Sequence, residues 1–228
     1  RIDLPPASNL LPTPPLVRSR YGNVPMYHIF SIHDCESIYV IPQMIRQACL
    51  DSVVMDILNL NDRVHPEAEA VAADQWNRYV ESIRAASRPV TIGITGKYTT
   101  VRDSYASIIK ALEHCGAHLG AKVNIEWIDV SEIDQDKVAD ALAAVDGIIV
   151  PGGFGVRGAE GKIACIRNAR ENNLPYLGLC YGFQLAVVEF ARNVCGLDGA
   201  NSTELDTEAV HPVIDILPEQ KQDRKSVV

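Results

Sequence analysis

The residues best able to do chemistry lie in two short stretches. In Gly178-Leu179-Cys180-Tyr181-Gly182-Phe183-Gln184 a cysteine separates two apolar runs, with glycine two positions to either side. A strand that ends, turns sharply through a nucleophile and enters a helix at once projects that side chain above a sheet. Glycine suits the flanking positions because a side chain there would clash. The helix start offers unsatisfied N–H groups that attract negative charge onto the sulfur. The chemistry is attack of a sulfur nucleophile on a carbonyl carbon. A cysteine at a strand end is more often a small buried apolar group. The glycine pair, the strand-to-helix setting and Gln184 weigh against that here.

The second stretch, Val150-Pro151-Gly152-Gly153-Phe154-Gly155-Val156-Arg157-Gly158, has four glycines within seven residues. Such a loop brings backbone N–H groups close to a ligand. It could be a phosphate nest, but the GxGxxG and GxxxxGK[ST] spacings are absent. An oxyanion hole fits better, because the preceding strand would lie beside the one that carries Cys180. The plain alternative is a glycine-rich connection without a ligand. His114 and His118 stand four apart at a helical metal-binding spacing, but no third ligand accompanies them. A solvated helix face explains them better, and no metal site is predicted. His211 is expected to be structural or exposed.

The elements that must position these residues change character along the chain. Residues 1–25 hold six of the 13 prolines and suggest an extended arm. Met26–Ile32 predicts a short strand. Pro42 can open a helix, with Ile45, Cys49, Val53, Asp56 and Ile57 along one face. His65-Pro66 opens a second helix, on which Ala68, Ala72, Trp76, Tyr79 and Ile83 form an apolar stripe. Ser87-Arg88-Pro89 breaks the pattern and marks a boundary, giving segments 1–25, 26–87 and 88–228.

Beyond it, strands at Val90–Thr95, Lys122–Ile128, Gly147–Val150 and Tyr176–Leu179 alternate with helices. The helices are marked by Tyr105, Ile108, Ile109, Leu112 and Leu119, then by Asp134–Ala144, Glu160–Asn172 and Tyr181–Val194. The alternation predicts an α/β fold with a parallel sheet and helices on both faces. Ligands on such sheets gather at the carboxyl ends of the strands, where both loaded stretches fall.

Composition narrows the classes of function. Of 228 residues, 47% are apolar and 22% charged, and 29 acidic against 21 basic side chains leave a net charge of −8. This excludes a basic footprint for nucleic acid or an anionic membrane surface. No apolar run is long enough to span a bilayer. The six cysteines, at 35, 49, 115, 165, 180 and 195, show no CxxC pair. They suggest a reducing, cytoplasmic setting in which most are small buried apolar groups.

Gly178–Gln184 resembles the GxCxGxQ signature of the class I, or triad, glutamine amidotransferases. PGGFGVRGAEGKI (151–163) with ARENNLPYLGLC (169–180) is similar to the CTP synthase branch of that family. The likeness extends to TIGITGKY (91–98), ANSTE (200–204), HPVIDILPEQK (211–221) and CESIYVIPQMI (35–45), and covers roughly residues 26–222. It implies an incomplete class I amidotransferase fold over 88–228, preceded over 26–87 by the end of a P-loop-like α/β amidoligase domain.

The implied activity is ATP-dependent amination of UTP to CTP with ammonia from glutamine. By this resemblance Cys180 is the nucleophile, and backbone N–H groups at Gly153 and Tyr181 form the oxyanion hole. Tyr181, Gly182, Phe183 and Gln184 line the glutamine site, and Glu204 pairs with the glutamine ammonium. His33, Asp34 and Cys35 fall in an adenine-contacting segment. The family also implies Mg2+ and ATP, GTP as effector and a homo-tetramer, with neither Mg2+ nor ATP bound by residues recognised here.

The His-x-Glu pair that completes the family's triad is not found after Cys180. The chain is therefore expected to be an internal fragment, inactive in CTP synthesis. The alternatives are a non-catalytic assembly or interaction module of the same fold, and a small cysteine-elbow protein with redox or hydrolase function. ANSTE and HPVIDILPEQK argue against the latter.

Overall fold

A computed structural model of the chain describes residues 22–96, 102–130 and 137–217. Residues 1–21 of the predicted 1–25 arm, Lys97 of the GKY motif and the PEQK end (218–221) of the HPVIDILPEQK segment lie outside these. The chain divides into two compact units, Arg1–Ala85 and Ala86–Val228.

The first unit is helical. The expected strand at Met26–Ile32 is instead one turn of 3-10 helix, Met26–His28, followed by irregular chain. Pro25 accepts from His28 N–H at 2.9 Å and starts the turn, and among the described residues no strand pairs with the segment. Ser37 caps a second 3-10 turn, its hydroxyl accepting from Tyr39 N–H at 3.3 Å. Helix α1 (Ile41–Gln47) carries Pro42 in its first turn, as expected. The single face predicted from Ile45 to Ile57 does not form. Cys49 adopts a left-handed conformation (φ 57°), which ends one helical run and starts another, α2 (Leu50–Ile57).

Helix α3 (Pro66–Ala85) has Glu67 and Glu69 in its first turn, where their charge suits the helix dipole. Its apolar stripe is only partly covered. Tyr79 and Ile83 are half-buried, Trp76 is exposed, and the one buried residue is Val80, outside the predicted stripe. Trp76 Nε1–H donates to Tyr39 C=O at 2.8 Å, and Tyr39 meets Tyr79 edge-on with ring centroids 5.3 Å apart.

The second unit is an α/β layer built on strands β1 (Arg88–Gly96), β2 (Ala121–Asp129), β3 (Gly147–Val150) and β4 (Tyr176–Gly178). All pairings are parallel, in the order β2-β1-β3-β4. Helix α4 (Ala106–Leu119) joins β1 to β2, α5 (Val138–Leu142) precedes β3, α6 (Ala159–Glu171) joins β3 to β4, and α7 (Tyr181–Asn193) follows β4. The helix expected over Asp134–Ala144 is described only as α5, since 131–136 lie outside the described residues.

The core lies between sheet and helices. It includes Ile148 and Val150 of β3, Ile163 and Ile166 of α6, and Leu185 and Val188 of α7. β3 is buried at all four positions, as its unbroken apolar run requires in a sheet covered on both faces.

A second, two-stranded parallel sheet, β5 (Ala200–Ser202) with β6 (His211–Ile214), was not anticipated. Its strands are too short to show alternation. One further expectation fails: Cys165 alone among the cysteines is buried, Cys49 is intermediate, and the other four are exposed. All six are free. Among the described residues no helix is long and apolar enough to cross a membrane.

Candidate active site

The site is built at the carboxyl ends of β3 and β4. Cys180 caps α7 with φ 50° and ψ −104°, a conformation costly for a residue with a β-carbon. The surrounding geometry forces it. Leu179 N–H donates to Val150 C=O at 2.9 Å, which continues the β3–β4 ladder, and Gly182 N–H turns back to Leu179 C=O at 2.9 Å. A β-carbon on Gly182 would collide with the Val150 carbonyl, lying 2.8 Å from its carbon. One on Gly178 would meet the Tyr176 hydroxyl and lie 2.7 Å from Phe183 N. Both glycines of the motif are therefore required by close approach. The thiol that results is exposed.

The glycine-rich loop runs alongside. A β-carbon on Gly152 would stand 3.7 Å from Cys180 Cβ, and one on Gly153 3.7 Å from Tyr181 Cδ1. Tyr181 is 3% exposed, and its hydroxyl donates to Gly155 C=O at 2.7 Å. Gly155 N–H donates in turn to Glu204 Oε1 at 3.1 Å. Burial, then the nearby carboxylates of Glu204 and Glu160, push the Tyr181 phenol up to about 12, so it remains a donor. As the first residue of α7, Tyr181 has a backbone N–H that the helix cannot use. It is free in that sense for an oxyanion beside Cys180.

The structure thus brings Gly153, Cys180, Tyr181, Gly182 and Glu204 to one place. Gln184 is half-buried in the first turn of α7, and Phe183 is 62% exposed. His33, Asp34 and Cys35 belong to the other unit. There they lie in irregular, exposed chain, with Cys35 Sγ donating to Ser37 C=O at 3.2 Å. His211 opens β6 and pairs with Ala200. His114 and His118 are exposed on α4, and among the described residues no three of His, Cys, Asp and Glu gather as a metal site.

Lys162 was missed from sequence. It is 7% exposed, its ammonium lies 5.3 Å from the Tyr181 ring centroid, and it would stand 3.6 Å from a β-carbon on Gly153. A lysine in an amphipathic helix looks solvated in sequence, and only the packing of α6 against the loop buries it.

Comparison with known proteins covers the same part of the chain. The family described as glutamine amidotransferase class-I matches residues 100–225. The chain belongs to the class-I glutamine amidotransferase family. This amidotransferase chain is 52% identical over 200 residues to the CTP synthase of Natronomonas pharaonis, covering 88% of this chain and 35% of that protein. It is 46% identical over 201 residues to the CTP synthase of Staphylococcus carnosus, covering 88% and 36%. It spans about a third of the length of these curated relatives. Among solved structures, it is similar to the glutaminase domain of Trypanosoma brucei CTPS with bound acivicin. The TM-score is 0.54 at 42% identity, over 57% of this chain and 50% of that one. The parallel α/β architecture of the amidotransferase unit is that of a CTP synthase glutaminase domain.

Proposed function

We propose that Cys180 is the nucleophile that hydrolyses the side-chain amide of glutamine. The Cys180 sulfur bonds to the amide carbon, and the carbonyl electron pair moves to oxygen, facing the N–H groups of Gly153 and Tyr181. Collapse breaks the carbon–nitrogen bond, and nitrogen takes up the proton that left the thiol. Ammonia departs and leaves a glutamyl thioester, which water cleaves to glutamate and free thiol. Glu204 pairs with the ammonium of the amino-acid head. By the family resemblance the base that shuttles the proton is the histidine of a His-x-Glu pair, which is not among the residues that follow Cys180 here.

One observation carries the proposal. The strained cap at Cys180 lies against Gly152, while Glu204 is tied to Gly155 of the same loop. The nucleophile, the oxyanion donors and the carboxylate that would recognise an amino acid are therefore held together.

The likeness to CTP synthases supports placing the ammonia in ATP-dependent amination of UTP by a longer cytoplasmic protein, a tetramer under GTP control. Residues 26–87 would close its amidoligase domain. By the same likeness magnesium and ATP serve the amination step and are held by residues other than those named here. The acidic charge supports small-molecule rather than nucleic-acid partners. On this view the chain by itself makes no CTP.

The test is labelling of the purified chain with acivicin, a glutamine-like electrophile, read by peptide mass spectrometry. Cys180 is expected to label with saturation and to be protected by glutamine, and Glu204→Gln to raise the half-saturating concentration at least tenfold. Equal labelling of the exposed cysteines, or no protection by glutamine, would overturn the proposal.

A further inference from the structure

Arg192 lies in the last turn of α7, on the helix that Cys180 begins. Its side chain is 21% exposed. Nε–H donates to Ala200 C=O at 2.6 Å, and Nη1 donates to both carboxylate oxygens of Glu160 at 3.0 Å. Each partner begins a segment of the candidate site. Glu160 sits in the first turn of α6, just past Gly158, whose left-handed φ of 78° turns the glycine-rich loop into the helix. Ala200 is fully buried, opens β5, and stands four residues before Glu204. Glu204 returns to the loop through Gly155 N–H. One guanidinium thereby closes a circuit through the nucleophile helix, the glycine-rich loop and the strand leading to Glu204.

The geometry suits arginine and not lysine. A planar fork presents its Nε edge to a carbonyl and its Nη edge to a carboxylate at once, whereas an ammonium is a single point charge on a flexible stem. The circuit supplements the hydrogen bond from the Tyr181 hydroxyl to Gly155 C=O, because the segments it joins are exposed. Gly155 has φ 79° with open space where a β-carbon would stand, and Phe154 and Val156 beside it are exposed. Glu204 is itself exposed, in the turn that follows the three-residue strand β5.

We propose that Arg192 is a positioning residue for recognition of the amino-acid head. It holds Glu204 and the Gly155 segment at a fixed spacing from Cys180, so that substrate binding does not have to order them. The proposal rests on the glutaminase function above. It separates recognition from thiol reactivity, since the Cys180 turn is held by Val150, Gly178 and Gly182, whereas Arg192 bonds Ala200 and Glu160.

The experiment compares two reagents on the full chain. Acivicin reads recognition through its half-saturating concentration, and iodoacetamide reads thiol access through its second-order rate. Arg192→Gln is expected to raise the acivicin half-saturation about tenfold, to leave iodoacetamide within twofold, and to be only partly restored in Arg192→Lys. Glu160→Gln, at an exposed carboxylate, is the second variant and should move acivicin in the same direction by a smaller factor. An unchanged acivicin half-saturation in Arg192→Gln overturns the proposal. So does equal slowing of both reagents, or full recovery with lysine. If Arg192→Gln does not fold, an unchanged Glu160→Gln overturns it. Wild-type chain that shows no saturation with acivicin defeats the glutaminase function itself, and the role of Arg192 with it.

Discussion

Gly182 lies so close to Val150 that a β-carbon on it would sit 2.8 Å from the Val150 carbonyl carbon. The contact joins the nucleophile helix to the central strand and leaves no room for relaxation, because Val150 is fully buried. Gly182→Ala is expected to destabilise the chain by about 3 kcal/mol or more, as overpacking against backbone does. It should also abolish selective labelling of Cys180. Urea unfolding with the acivicin assay checks both, and an alanine variant of wild-type stability would contradict the close approach.

Cys180 holds a backbone conformation that glycine adopts without strain. Cys180→Gly should therefore be more stable than Cys180→Ala by about 1 kcal/mol, although glycine elsewhere usually costs stability. Thermal unfolding of the two variants measures this. A less stable glycine variant would mean that the turn is unstrained.

Glu189 is buried in α7 and receives Arg170 of α6 through three hydrogen bonds of 2.9–3.1 Å. Arg170→Ala would leave a buried carboxylate without its cation, at a cost of about 3–5 kcal/mol. The paired replacement Arg170→Met with Glu189→Leu should recover most of that loss. A double-mutant cycle by chemical denaturation reads the coupling, and additive effects would show that the pair does not clamp the two helices.

Stability should fall at alkaline pH. Burial holds the Cys165 thiol up at about 12 from an ordinary 9.0. Burial also holds the Tyr176 and Tyr181 phenols up at about 12 from 10.0. The unfolded chain releases these protons first, so between the two values it binds fewer protons than the folded chain. The stability contributed is intact below pH 9 and is lost as pH rises toward 12. Urea midpoints from pH 8 to 11 should decline, and less steeply in Cys165→Ala. A flat profile would refute the burial of these groups.

The alternation of strands and helices after Arg88 was legible because β3 is an unbroken apolar run and α6 and α7 carry periodic ones. The elbow was legible because a glycine pair around cysteine at a strand end has few other uses. The first unit was read less well. The Met26–His28 turn is too short for periodicity to exclude a strand. The break at Cys49 leaves no sequence mark, since neither glycine nor proline stands there. Lys162 and Arg192 escaped notice for a related reason: a basic residue on a helix is ordinarily solvated, and what buries it comes from distant segments.

By itself, then, the sequence determined the alternation of strands and helices after Arg88, the cysteine elbow and the glycine loop, all local patterns set by backbone sterics and hydrophobic period. Tertiary structure alone decided that Gly155 meets Glu204 across 49 residues, that Tyr181 locks the loop, and that Arg192 ties α6 to β5. Those contacts depend on how helices and strands pack, and packing is a property of the whole chain that no local pattern encodes.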